Sequence, residues 1–143
     1  MKTRIGMLVP LVVLGLQGCI IVDHEDPDCI GDYCGVGRGD IEFFWAFELA
    51  DGSVTDECYL ADVATMDVFI YDDFGELEFR ALDRPCEDLG AIIDNFYPGG
   101  YELELVGTCR TGRITHEGFW YLDVYEGVND FGTLTLSWLG PCR

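Results

Sequence analysis

Apolar and polar residues alternate along much of the chain after residue 40. The first such segment, DIEFFWAFEL, places five apolar side chains on one face of an extended strand: Ile41, Phe43, Trp45, Phe47 and Leu49. Glu42 and Glu48 point to the opposite face. A repeat of two residues fits a half-buried strand better than a helix, whose apolar positions recur at intervals of 3.6 residues.

The same alternation recurs up to residue 139. Met66, Val68 and Ile70 share one face of VATMDVFIYDD, which ends in a turn before ELEFRAL. Further strands are predicted in AIIDNF, YELELVG, EGFWYLDVYEG and FGTLTLSWL, with turns predicted at PGG (98–100) and GVND (127–130). About seven short strands and no convincing helix predict an all-β fold, an antiparallel seven-stranded β-sandwich over residues 40–143.

The first 18 residues have the organisation of a signal peptide. Lys2 and Arg4 precede an uncharged, mostly apolar run at 5–16. A membrane-spanning helix needs roughly 20 such residues, so this run is too short to cross a bilayer and is typical of an export signal.

The signal ends in LQGC, residues 16–19. Ordinary signal peptidase requires a small residue three positions before the cut, and Leu16 is too large for that site. The four residues resemble the bacterial lipobox, although Gln17 replaces the usual small residue. The resemblance implies that Cys19 receives a diacylglyceryl group and becomes the new N-terminus. The alternative is an ordinary secreted protein with a cysteine near its cut.

Attachment to a membrane follows from this resemblance. Each buried methylene contributes about 0.8 kcal/mol, so several acyl chains on Cys19 would hold the protein permanently. In bacterial lipoproteins an aspartate after the lipidated cysteine can cause retention in the inner membrane. Ile20 occupies that position here. We therefore expect the protein in the bacterial cell envelope, on the outer membrane.

The charge of the chain excludes nucleic acid as a partner. The formal net charge is −19, and loss of Lys2 and Arg4 with the signal peptide takes it to about −21. A phosphate backbone repels a chain this acidic. The remaining basic residues are all arginines: Arg38, Arg80, Arg84, Arg110, Arg113 and Arg143.

Removal of Cys19 from the seven cysteines leaves an even number, which predicts disulfides in an exported protein. The sequence does not determine their connectivity. We expect Cys29 with Cys34, Cys58 with Cys86, and Cys109 with Cys142. A zinc site is the alternative, but there is no CxxC pair and His24 and His116 are far apart in sequence. Residues 19–39 are rich in Asp and Gly and are interpreted as a lipidated tether.

Nothing in the sequence favours catalysis, and the protein is predicted not to be an enzyme. Ser53 lies in a predicted turn, Ser137 lies on an alternating strand, and His116 beside Glu117 is interpreted as an exposed edge histidine. An even cysteine count leaves no free thiolate. Pairs of carboxylates are too frequent in so acidic a chain to indicate a glycosidase.

No organic cofactor is predicted, and calcium is the alternative cofactor. Acidic loops of extracellular sandwiches supply the oxygen ligands that calcium prefers. None of the candidates has EF-hand spacing. They are Asp72, Asp73, Glu76, Glu126, Asn129 and Asp130 in the domain, and Asp23, Glu25, Asp26 and Asp28 in the tether.

The number of aromatic residues suggests a binding surface. Phe44, Trp45, Phe119, Trp120, Tyr121 and Tyr125 exceed what one face of each strand can hide. Core packing is one interpretation. The other is a platform for a carbohydrate or a protein, with Phe44 and Trp120 as its leading candidates.

The segment AIIDNFYPGGYELELVG resembles carboxypeptidase-regulatory-like, transthyretin-like and related immunoglobulin-like domains. Residues 40–139 as a whole resemble small uncharacterised lipoproteins abundant in myxobacteria. The resemblance implies a sandwich without an assigned activity. We therefore expect a lipid-anchored, non-catalytic structural or interaction module that contacts an envelope protein or carbohydrate. The alternative is a calcium-dependent adhesin or carbohydrate-binding sandwich.

Overall fold

A computed structural model of the chain describes residues 37–143. The signal peptide, the lipidation candidate Cys19, the Cys29 and Cys34 pair and the acidic residues of the tether lie outside this range. The elements are β1 (Gly39–Glu48), β2 (Val54–Thr55), α1 (Cys58–Ala61), β3 (Thr65–Asp72), β4 (Leu77–Pro85), a 3-10 helix (Cys86–Asp88), β5 (Gly90–Phe96), β6 (Gly99–Thr108), β7 (Ile114–Val124) and β8 (Gly127–Trp138).

The strands form a sandwich-like arrangement of two layers. In the first layer, β1 pairs with β8 on one edge and with β5 and the short β2 on the other. The second layer has the order β4-β3-β6-β7. The two layers are joined where β7 and β8 pair at His116 with Trp138 and Glu117 with Ser137. The described residues contain no helix long and apolar enough to cross a membrane.

The core lies between the two layers. It takes Ile41, Phe43, Trp45 and Phe47 from β1, all 1% exposed or less, so the alternation predicted for this strand is confirmed. The facing layer contributes Met66, Val68, Ile70, Leu103, Leu105, Leu122 and Val124. Alternate residues of these strands point away from the core, because successive side chains of a strand lie on opposite faces.

The all-β class is confirmed, and the strand pairing differs from the prediction in three respects. The short β2 is an eighth strand, β1 and β8 pair in parallel, and two short helices are present. GVND was predicted as a turn but begins β8. Gly127 pairs with Gly39 and Asp130 with Glu42, so the ladder to β1 draws the segment into the sheet.

Two of the predicted disulfides are present. Cys58 in α1 is bonded to Cys86 in the 3-10 helix, and Cys109 after β6 is bonded to Cys142 near the C-terminus. Their sequence separations are 28 and 33 residues. Closing loops of this length lowers the entropy of the unfolded chain, a stabilisation of about 3.5 kcal/mol per bond in the chain-entropy treatment.

His116 was expected at an exposed edge, and the structure shows that this was wrong. The side chain is fully buried, and its ring lies 5.2 Å from the Phe47 ring in an edge-to-face arrangement. Nε2 lies 2.9 Å from the Glu48 carbonyl oxygen and Nδ1 lies 3.1 Å from the Thr115 hydroxyl. Because a carbonyl only accepts, the proton is on Nε2. Burial lowers the pKa of His116, and the Glu48 interaction only partly offsets this effect.

This burial predicts a pH-dependent stability. A histidine whose pKa is lowered on folding binds more protons in the unfolded state, so the free energy of unfolding decreases as pH falls below about 6.5. A His116→Gln variant keeps an N–H that can donate to the Glu48 carbonyl but cannot titrate. As the pH is lowered from 7.5 to 5.5, we expect the melting temperature of the wild type to decrease more than that of the variant. Calorimetry at several pH values measures this difference, and parallel profiles would contradict it.

Candidate binding face

The outer face of the β4-β3-β6-β7 layer carries aromatic and acidic side chains in rows. On β6, Tyr101, Leu103 and Leu105 point into the core, which directs Glu102 and Glu104 outward. Glu104 is paired with Phe69 of β3 and Phe119 of β7. Directly paired residues of antiparallel strands lie on the same face, so these three side chains form one row.

A second row lies beside the first, two residues along the strands. Glu102 is paired with Tyr71 of β3 on one side and with Tyr121 of β7 on the other. Each row therefore has a carboxylate between two aromatic rings. We call these six residues the aromatic–acidic face: Phe69, Tyr71, Glu102, Glu104, Phe119 and Tyr121.

The two aromatic flanks differ in exposure. Phe119 and Tyr121 on β7 are 63% and 60% exposed, whereas Phe69 and Tyr71 on β3 are half-buried. The Phe69 and Tyr71 rings stack, with centroids 6.5 Å apart and an interplanar angle of 18°. The Tyr71 hydroxyl donates to Glu104 Oε2 at 3.2 Å. Partial burial, followed by the negative charge of Glu104, raises the pKa of Tyr71.

Tyr121 is held in place by a hydrogen bond and by a glycine. Its hydroxyl donates to Asp73 Oδ1 at 2.7 Å, and this bond is the main reason that the pKa of Tyr121 is raised. A Cβ atom at Gly100 would overlap the Tyr121 hydroxyl and the Asp73 carboxylate. The absence of a side chain at Gly100 therefore lets the ring lie against β6.

The face is acidic and has little basic compensation. Asp67 and Glu117 occupy the next row, flanking Val106. Arg80 on β4 is paired with Phe69 at the margin. Within residues 37–143 one ion pair is present, Arg84 with Asp88 at 3.0 Å, and it lies elsewhere. Glu102 and Glu104 thus have no basic partner at ion-pair distance in the described part of the chain.

The structure does not bring the two leading platform candidates, Phe44 and Trp120, to one surface. Phe44 lies on the outer face of the other layer, 45% exposed and against Gly90. Trp120 faces inward, half-buried against the core, with its ring over Gly118. Tyr125 is exposed in the β7–β8 turn and Trp45 is in the core.

Three of the calcium candidates, Asp72, Asn129 and Asp130, are engaged in local hydrogen bonds. Asp72 accepts from the backbone N–H groups of Phe74 and Glu76. The Asn129 amide donates to three backbone carbonyls, those of Asp40, Tyr125 and Gly127, and its oxygen accepts from Tyr125 N–H. Asp130 accepts from Gly132 N–H. In the described part of the chain, no three His, Cys, Asp or Glu side chains are grouped as metal ligands.

The end of the domain that carries the disulfides has two shallow cavities beside α1. One, of about 450 Å³, is lined by Tyr59, Glu87 and Arg110 among others. The other, of about 430 Å³, is lined by Leu60, Trp138 and Pro141 among others. Ser53, near this end, donates to Asp51 within a turn. These cavities lack the ordered rows of the aromatic–acidic face.

Comparisons with known proteins give little information on function. No protein-family model matches the chain, and no curated protein matches it. One similar solved structure is a crystal structure from Bacteroides thetaiotaomicron described as "putative polysaccharide binding proteins (DUF1812)", with 11% sequence identity and a TM-score of 0.44. The match covers 71% of this chain and 46% of that one, so this chain spans less than half its length. Similarity at this level does not establish a shared function.

The sequence contains part of the information that defines the aromatic–acidic face. Phe69 and Tyr71 alternate with Met66, Val68 and Ile70, and Glu102 and Glu104 alternate with core residues of β6. Alternation alone predicts which of these point outward. It does not predict that β3, β6 and β7 are neighbours, which is the information that assembles the rows.

We predict that an Asp73→Asn substitution lowers the pKa of Tyr121 toward its ordinary value. The neutral amide oxygen accepts the hydroxyl hydrogen bond more weakly than a carboxylate does, and the negative charge that disfavours tyrosinate is lost. NMR titration of the Tyr121 ring measures the change. An Asp88→Asn variant, which alters an acid that pairs with Arg84 instead, is the control. An unchanged pKa for Tyr121 in Asp73→Asn would contradict the assigned contact.

Proposed function

We propose that this protein is a non-catalytic, lipid-anchored interaction module of the bacterial cell envelope. It is held on the membrane through Cys19 and contacts its partner through the aromatic–acidic face. The observation that carries the proposal is the exposure of Phe119 and Tyr121 beside Glu102 and Glu104. Exposed aromatic rings that serve no core packing are typical of interaction surfaces.

The chemistry of the domain supports a binding role over catalysis. Both ring nitrogens of His116 are occupied, by the Glu48 carbonyl and the Thr115 hydroxyl. The four cysteines of the described residues are all in disulfides. The candidates for a base or a thiolate nucleophile are therefore used to hold the fold.

The anchoring part of the proposal rests on the lipobox resemblance of residues 16–19. We expect the wild type to partition into detergent and the Cys19→Ser variant to remain in the aqueous phase, because the variant cannot accept the diacylglyceryl group. A Cys29→Ser variant controls for loss of a cysteine outside the lipobox. An unmodified Cys19 in the mass spectrum of the mature wild type would contradict the anchor.

The binding part is tested with the mature chain carrying Cys19→Ser, so that lipid does not cause association. We expect this protein to sediment with envelope fractions of its host, and Phe119→Ala with Tyr121→Ala to weaken that association about tenfold or more, as for two interface anchors. Tyr59→Ala with Tyr125→Ala removes two rings that are at least as exposed but are not part of the aromatic–acidic face, and should leave the association unchanged. Equal sedimentation of all three proteins would exclude the aromatic–acidic face as the binding surface.

A further inference from the structure

We propose that the occupant of the aromatic–acidic face is an extended basic segment of a partner protein, with lysine or arginine at alternate positions. This inference rests on the proposed function and adds the chemical class of the partner. The structural reason is the arrangement of the rows: Phe69–Glu104–Phe119 and Tyr71–Glu102–Tyr121 each hold a carboxylate between two rings.

The width of a row fits a cationic group. Adjacent strands are about 4.8 Å apart, so the backbone positions of Phe69 and Phe119, two strands apart, are separated by about 10 Å with Glu104 midway. A cation over Glu104 would lie about 5 Å from each flanking position. Cation–π attraction operates within about 6 Å of a ring centroid, so carboxylate and rings can act on the same cation.

The spacing between rows fits an extended peptide. Glu102 and Glu104 are two residues apart on β6, which corresponds to about 6.8 Å along a strand. Side chains at positions i and i+2 of an extended peptide have the same spacing and point to the same side. A peptide lying along β6 would therefore place one basic side chain in each row.

The charge around the rows is complementary to such a segment. Asp67 and Glu117 lie in the row beyond Glu104, and Asp73 and Asp123 lie beyond Glu102. Among the described residues, Arg80 at the β4 margin is the one basic residue paired into these rows. A surface of this sign attracts a basic partner and repels acidic ones.

Synthetic peptides test the inference on the mature full chain carrying Cys19→Ser. The probe (Lys-Thr)4 places all its lysines on one side when extended. The probe (Lys-Thr-Thr)4 has the same number of lysines on alternating sides. Isothermal titration calorimetry should give an affinity for the first that is about fivefold higher, since only it engages both rows at once. Comparable affinities, or no binding of (Lys-Thr)4, would overturn the inference.

Substitutions on the protein separate a specific site from general attraction. Glu102→Gln with Glu104→Gln should weaken binding of (Lys-Thr)4 about tenfold, as expected for two ion pairs flanked by aromatic rings. Glu57→Gln with Glu87→Gln removes two exposed charges from the disulfide end and should change the affinity less than about twofold. Equal losses in the two variants would overturn the inference.

The same variants distinguish this inference from the proposed function. Loss of envelope binding in Phe119→Ala with Tyr121→Ala, but not in Glu102→Gln with Glu104→Gln, would leave the face as a binding site and exclude a basic partner. If a glucosamine tetramer bound more tightly than (Lys-Thr)4, the face would be assigned to an amino sugar, and the inference of a basic peptide segment would be overturned. If the aromatic substitutions did not change envelope binding, the proposed function itself would be contradicted.

Discussion

Burial of the inner face of β1 is the constraint on which the rest of the structure depends. Ile41, Phe43, Trp45 and Phe47 are almost completely removed from solvent, and the strand is hydrogen-bonded along both edges. Complete burial of four such side chains contributes about 6–12 kcal/mol, as much as the net stability of a typical domain. The Trp45 indole N–H also donates to the Cys86 carbonyl at 3.1 Å, which ties the strand to the disulfide-bonded 3-10 helix.

The second layer must present a complementary apolar face to β1, and this requirement determines its outer face. Once Leu103 and Leu105 point inward, Glu102 and Glu104 must point outward on the same strand. The ladders to β3 and β7 then set which aromatic residue stands beside each carboxylate. The backbone positions of the rows are thus fixed by the register of the core strands, so binding has to order side chains but not the backbone.

The local alternation of apolar and polar residues predicted which face of each strand is buried. Strand pairing and the burial of His116 depend on contacts between residues far apart in sequence. The inner faces of β1, β3 and β6 follow from alternation. GVND has the composition of a turn, but Gly127 pairs with Gly39, 88 positions away. His116 looks exposed by composition, yet it packs against Phe47 and bonds to the Glu48 carbonyl. In the segment FWY, Trp120 faces the core and its neighbours Phe119 and Tyr121 face outward. A shift of one residue in strand register would reverse this arrangement, and composition does not determine the register.

The acidity of the aromatic–acidic face has an energetic consequence that composition alone does not convey. Two carboxylates about 6.8 Å apart repel by about 0.6 kcal/mol in water and by about 2.4 kcal/mol at an effective dielectric constant of 20. The Tyr71 hydroxyl partly compensates Glu104 by donating a hydrogen bond. Among residues 37–143, Glu102 forms no ion pair with a basic side chain. A cation placed in either row relieves this repulsion in addition to its own attraction to the rings, whereas a neutral ligand relieves none of it. The arrangement therefore favours positively charged partners even though the rings alone would accept many apolar surfaces.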